Sequence, residues 1–64
     1  MTTIEKRMST MEIERVYDLI AEGIDKAGTG KGELFLAKLS LALANLVGDG
    51  EQVANAVSAA GRDL

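Results

Sequence analysis

The sequence has neither cysteine nor histidine among its 64 residues. Disulfides are therefore excluded, and so are ordinary structural zinc sites, whose ligands are thiolates and imidazoles. The same absence removes the commonest general base and the most reactive nucleophile, which leaves catalysis to carboxylates, lysines, hydroxyls and Tyr17. The sequence thus predicts a protein that is not an enzyme, with no catalytic residues, no cofactor and no metal site.

Positive charge and long apolar runs are also scarce. Lysine and arginine together number 7 against 10 acidic residues, which gives a net charge of -3. Nucleic-acid affinity comes mainly from basic side chains that neutralise phosphates, so no nucleic-acid partner is expected. The most apolar stretch, residues 34–47, is too short to span a bilayer and contains Lys38. Residues 1–8 lack the apolar segment of a signal peptide, so the sequence predicts a cytoplasmic protein with no membrane contact.

Aromatic residues are few as well, with one Phe, one Tyr and no Trp. A domain of this size buries only about 60% of the surface that its unfolded chain exposes. Small domains therefore usually need an additional source of stability, such as disulfides, a bound metal or self-association. Disulfides and zinc are excluded here. Self-association is the source of additional stability that remains, and a homodimer is expected.

Helix start signals and glycines divide the chain into three predicted helices. Ser9 and Glu12 have the S-x-x-E spacing of a capping box, which predicts a first helix that continues to about Ala27. Three glycines in residues 28–32 predict a short turn, with Gly28 in a left-handed conformation. A turn this short favours an antiparallel hairpin of the first two helices.

The second helix is predicted from Gly32 or Glu33 to Val47. Gly48 then suits the left-handed residue that ends a helix, while Asp49 and Gln52 form a D-x-x-Q variant of the capping box. A short third helix follows. The whole is an all-α fold, a helical hairpin plus a short third helix, which is expected to dimerise into a helical bundle.

Residues 9–64 are predicted to form a single small helical domain, preceded by a lead-in at residues 1–8 that is flexible or partly helical. An alternative extends the first helix backwards, because Ile4, Met8, Met11 and Leu19 line up loosely on one side. Gly23 lies inside the first helix and weakens it by about 1 kcal/mol relative to Ala, unless a neighbouring helix uses the missing side chain.

Apolar residues recur at three- and four-residue spacings in all three helices, which predicts their core faces. The predicted core face of the first helix is Ile13, Val16, Tyr17, Ile20, Ile24 and Ala27. That of the second is Phe35, Leu36, Leu39, Ala42, Leu43, Leu46 and Val47. The third helix offers a narrow stripe of small residues, Val53, Ala56, Val57 and Ala60.

The second helix is apolar on its remaining side too, and such a helix is usually buried on more than one side. The residues on that side are the predicted interface with a partner chain: Leu34, Ala37, Leu41, Ala44 and Asn45. Asn45 has two interpretations, because a polar residue can fix the register of a helix interface or can simply be exposed near a helix end.

Two segments resemble functional motifs, a phosphate-binding loop and a DNA-recognition helix, but each fits an ordinary structural role better. The loop at residues 28–32 resembles a phosphate-binding loop in its glycines and Lys31, but Asp25 and Gly32 stand where G-x-x-x-x-G-K-[ST] requires Gly and Ser or Thr. The third helix resembles a recognition helix by position, but residues 51–58 contain no Lys or Arg. A plain interhelical turn and a packing helix are favoured.

Residues 36–49, LAKLSLALANLVGD, resemble the central pattern of a family of short bacterial proteins of unknown function. That pattern is a Leu-rich helix ending in Leu-Ala-Asn, then two residues, then Gly-Asp, then a helix of small residues. Leu46 stands where the family has His, so any role of that His does not transfer. The resemblance implies an accessory or regulatory subunit of a bacterial catabolic enzyme, in the breakdown of aromatic compounds, as the alternative to self-association.

Overall fold

The computed structural model describes residues 7–62, which form three α-helices: α1 (Thr10–Ala27), α2 (Gly32–Val47) and α3 (Gly50–Ala60). No β-strand occurs within this range. The predicted all-α class and the three predicted helices are confirmed. The predictions for residues 1–6 and 63–64 lie outside the described residues. Arg7 and Met8 precede α1 and are not helical, so α1 does not extend back over them.

The start of α1 is fixed by its own side chains. The Glu12 backbone N–H donates to Ser9 Oγ at 3.2 Å, and the Ser9 N–H donates to Glu12 Oε1 at 3.0 Å. Each side chain thus satisfies a backbone donor that the first helical turn leaves without an intrahelical partner. The predicted capping box is confirmed.

The α1–α2 turn is built on two glycines with positive φ, Gly28 (95°) and Gly30 (80°). Gly28 has a ψ of 171°, so it does not adopt the left-handed helical conformation predicted for it. It occupies instead an extended region with positive φ that is essentially restricted to glycine. The Lys31 N–H donates to the Gly28 carbonyl at 3.1 Å, which closes the turn.

The α2–α3 junction needs only two residues. Gly48 is left-handed (φ 71°, ψ 16°) and its N–H donates to the Ala44 carbonyl, as predicted. Asp49 Oδ1 accepts from the N–H groups of Glu51 (2.9 Å) and Gln52 (3.4 Å). The Gln52 side chain donates to Asp49 Oδ2 rather than to the Asp49 backbone, because a side-chain amide can reach the second carboxylate oxygen. Asp49 therefore caps α3 as predicted, with its carboxylate held from both sides.

Packing between α1 and α2 is closest at the loop end of the hairpin. A Cβ added to Gly23 would lie 2.9 Å from Phe35 Cε1 and Cε2 and closer still to Cζ. The Phe35 ring therefore occupies the space that any other residue at position 23 would need. A Cβ on Gly32 would likewise lie 3.3 Å from Ile24 Cγ2. The glycine in α1 is used for close helix approach, which explains why this weak helix former is found there.

Gly23→Ala is expected to lower the free energy of unfolding by about 1 kcal/mol or more in net terms. This net loss already includes the gain of about 1 kcal/mol that alanine brings as the better helix former. The Phe35 ring would have to withdraw from α1, and the helix contact would be lost with it. Urea titration at one fixed protein concentration measures the effect.

Gly50→Ala is the matched control, because nothing lies within 4 Å of a Cβ built at Gly50 and its φ is not positive. The control should leave the unfolding midpoint unchanged or raise it. If the urea midpoint of Gly23→Ala rises as far as that of Gly50→Ala, the Phe35 ring does not require a glycine at position 23.

The third helix gives the molecule an open arrangement. α3 packs against α2 and makes no contact with α1. As a result no residue from 7 to 62 reaches full burial, and the most protected side chains are only half-buried. The core therefore consists of a single α1–α2 seam, with α3 attached along one flank of α2.

Candidate interaction surfaces

The seam covers much less of α2 than its apolar pattern predicts. Phe35 and Leu39 are half-buried, as expected for residues that face α1. The rest of the predicted broad core face is exposed, and Leu46 is exposed by 81%. This part of the prediction is wrong, because α3 packs only against α2 and no other helix of residues 7–62 closes over that face. The exposed members are Leu36, Ala42, Leu43, Leu46 and Val47.

The predicted core face of α1 is only partly covered. Its half-buried residues are Val16, Ile20, Ile24 and Ala27. Ile13 and Tyr17 are exposed, Tyr17 by 73%, so the prediction is wrong for these two. Val16 lies between Ile13 and Tyr17 in the sequence and is half-buried, so burial differs between neighbouring positions in this part of α1.

The five predicted interface residues divide between two surfaces. Leu34 and Leu41 are exposed by 61% and 73%, and Ala37 is exposed between them. Their i, i+3, i+7 spacing makes one continuous line on α2, which we call the outer ridge (Leu34, Ala37 and Leu41). Asn45 is exposed one turn further on, and its side chain makes no hydrogen bond within residues 7–62.

Ala44 differs from the other four because it is half-buried. It lines an open groove of about 980 Å³ between α2 and α3. We call this the α2–α3 groove. Arg7 lies at the groove, and the other lining residues are Ser40, Leu43, Ala44, Val47, Gln52, Val53, Asn55, Ala56, Val57 and Ala60.

The α3 side of this groove was recognisable in sequence only as a packing stripe. Val53, Ala56, Val57 and Ala60 recur at i, i+3, i+4 and i+7, and all four line the groove. Periodicity identified the correct side of α3 but not its role. Because the stripe lines an open groove and leaves Val57 exposed by 67%, it is a surface as much as a core.

The acidic residues of α1 make no ion site. Glu14, Asp18, Glu22 and Asp25 are all exposed, and no three acidic side chains converge anywhere in residues 7–62. Hard cations such as Ca²⁺ need several converging oxygens. Within the same range, no helix has the length and apolarity that crossing a bilayer would require.

No family model, curated protein or solved structure matches the chain. The resemblance of residues 36–49 to a family of short bacterial proteins therefore stays a prediction. Functional inference rests on the two apolar surfaces, the outer ridge and the α2–α3 groove.

Proposed function

We propose that the protein is a non-enzymatic helical interaction module that self-associates through α2. Two hairpins would come together as a homodimer, with α2 of each chain near the centre of a helical bundle. The observation that carries this proposal is the amount of apolar surface left uncovered on α2. Leu34 and Leu41, both predicted to lie at the interface, are among its most exposed large side chains.

The number of exposed large apolar side chains supports this proposal. Within residues 7–62, 12 large apolar side chains are exposed by at least 40%, and six of them belong to α2. In a homodimer, burial of these side chains would supply the apolar centre of the interface.

Composition supports an interaction role in place of catalysis. The chain has no His or Cys, and none of its described side chains is buried in a water-excluded pocket where a carboxylate or lysine could be tuned. We propose that it acts in the bacterial cytoplasm, which is supported by the absence of cysteine and by the resemblance of residues 36–49 to short bacterial proteins.

Self-association predicts a stability that depends on protein concentration. Diluting the protein a hundredfold should lower its melting temperature, because dissociation becomes part of unfolding. Light scattering after size exclusion should give twice the 6.8 kDa chain mass at micromolar concentration. A monomer mass together with a melting temperature unaffected by dilution would refute the proposal.

The rival outcome is a heterologous partner. If the protein is an accessory subunit of a bacterial catabolic enzyme, as the resemblance implies, the same apolar surface would bind that enzyme. Co-purification from the native host followed by mass spectrometry distinguishes the two. Recovery of a stoichiometric enzyme with no homodimer would favour the accessory role, whereas recovery of the homodimer alone would favour self-association.

A further inference from the structure

The outer ridge and the α2–α3 groove have the dimensions of a complementary pair. We propose that two copies associate through antiparallel α2 helices, so that the outer ridge of each chain fills the α2–α3 groove of the other. This inference rests on the proposed self-association and specifies its geometry. The occupant of the groove is therefore a second copy of this chain.

The ridge and the groove are similar in length. The ridge runs from Leu34 to Leu41, a separation of seven residues and about 10.5 Å along a helix. The groove is lined from Ser40 to Val47 on α2, a separation of seven residues, and from Gln52 to Ala60 on α3, a separation of eight. A ridge of two turns on one chain therefore spans the full length of the groove on another.

The order of the two surfaces along α2 determines the direction of pairing. The ridge begins near the N-terminus of α2 and ends at Leu41, whereas the groove flanks α2 from Ser40 to Val47. In a two-fold dimer each surface must meet its complement on the partner. Only antiparallel α2 helices bring the ridge of each chain to the groove of the other at the same time. Such pairing also sets the helix dipoles in opposition, which is favourable.

This geometry fixes a register. Leu34 is the first residue of the ridge, and Val47 is the last residue of α2 that lines the groove. Pairing these two across the dimer places Leu41 opposite Ser40. The two-fold axis then passes between positions 40 and 41. Leu41 of one chain lies close to its own equivalent, whereas the two copies of Leu34 are separated by 13 residues, about 20 Å along the helix.

The chemistry of the groove suits a leucine ridge. Alanine and valine side chains dominate its lining, so a second backbone can approach closely and large leucine side chains can fill the space. Arg7 brings a positive charge to the groove, no acidic residue is among its lining residues, and Ser40, Gln52 and Asn55 are polar but uncharged. The ridge itself is uncharged, so its insertion would desolvate apolar groups chiefly, which is the favourable case.

A pair of matched variants on α3 tests whether the groove is used. Ala54 and Ala56 are both exposed alanines of α3, but only Ala56 lines the groove. Ala56→Glu should raise the dimer dissociation constant by about tenfold or more, because the apolar ridge would have to desolvate a carboxylate in the groove. Ala54→Glu should leave the constant within about twofold, and both variants should keep the helical circular dichroism spectrum, since neither position is buried. Analytical ultracentrifugation gives the constants.

Cysteine cross-linking tests the register, because the chain contains no cysteine of its own. Leu41→Cys alone should form a disulfide-linked dimer on mild oxidation, whereas Leu34→Cys alone should not. An equimolar mixture of Leu34→Cys and Val47→Cys chains should give the mixed dimer. Non-reducing gels and intact mass spectrometry identify the species.

The outcomes separate this inference from the proposed self-association. If light scattering gives a dimer but Leu34→Cys cross-links to itself as well as Leu41→Cys does, the helices are not antiparallel in this register and the inference fails alone. A dimer that survives Ala56→Glu unweakened also overturns it. A monomer at all accessible concentrations would overturn both proposals together.

Discussion

Replacing Leu39 with aspartate is expected to unfold the chain. Leu39 is one of two large α2 side chains that the α1–α2 seam half-buries, and the seam is the only core that residues 7–62 contain. A carboxylate there would be partly desolvated without a partner, at a cost of roughly 2–4 kcal/mol in addition to the lost leucine contacts. Since a domain of this size has a total stability of only about 3–10 kcal/mol, little would remain.

The measurement is helical circular dichroism at 25 °C, followed by urea titration. Leu39→Asp should lose most of its helical signal, or its unfolding midpoint should fall to very low urea. The matched variant is Leu41→Asp, the same substitution two residues away on an exposed side of the same helix. A Leu39→Asp protein as helical and as stable as the wild type would mean that α1 and α2 do not hold each other in place.

Leu41→Asp is expected to abolish self-association and to retain the helices. Leu41 is exposed by 73%, so the seam loses nothing when it is replaced. In the proposed antiparallel dimer, however, the two copies of residue 41 would lie beside the two-fold axis, and two carboxylates would face each other in an apolar contact. The expected rise in the dimer dissociation constant is about a hundredfold or more.

Light scattering and circular dichroism at the same concentrations separate the two effects. Leu41→Asp should elute as a helical monomer under conditions where the wild type is a dimer. Leu41→Ala is the control for removal of the side chain alone, and it should weaken the dimer less than aspartate does. If Leu39→Asp and Leu41→Asp lose helix content equally, folding and assembly use the same face of α2, and no separate interface exists.

Local signals in the sequence predicted the helices correctly because the features that end them are local. Ser9 and Glu12 bond to each other across one turn, and Asp49 caps α3 from the residue immediately before it. Gly48 ends α2 by its own left-handed backbone. None of these arrangements depends on which helix packs against which, so residue type and spacing were sufficient.

The distribution of burial could not be predicted in the same way. A helical wheel shows which residues of α2 are apolar but does not show how many neighbours are present to cover them. Leu43 and Leu46 belong to the predicted core face, yet they are exposed because α3 never reaches α1. Ala44, which was predicted to share an interface with Leu34 and Leu41, lies in a groove whose other wall is α3. Both differences follow from the direction in which α3 leaves the Gly48–Asp49 turn.

The exclusive packing of sequence neighbours, α1 with α2 and α2 with α3, has a kinetic consequence. The helix–helix contacts within residues 7–62 are all between adjacent helices, so loop closure is inexpensive and the contact order is low. Helical proteins of this type fold in about microseconds to milliseconds. Encounter between two chains, at typical rate constants of about 10⁵–10⁷ M⁻¹s⁻¹, is slower than this at nanomolar concentration. Refolding of a dilute sample should therefore be limited by a second-order step.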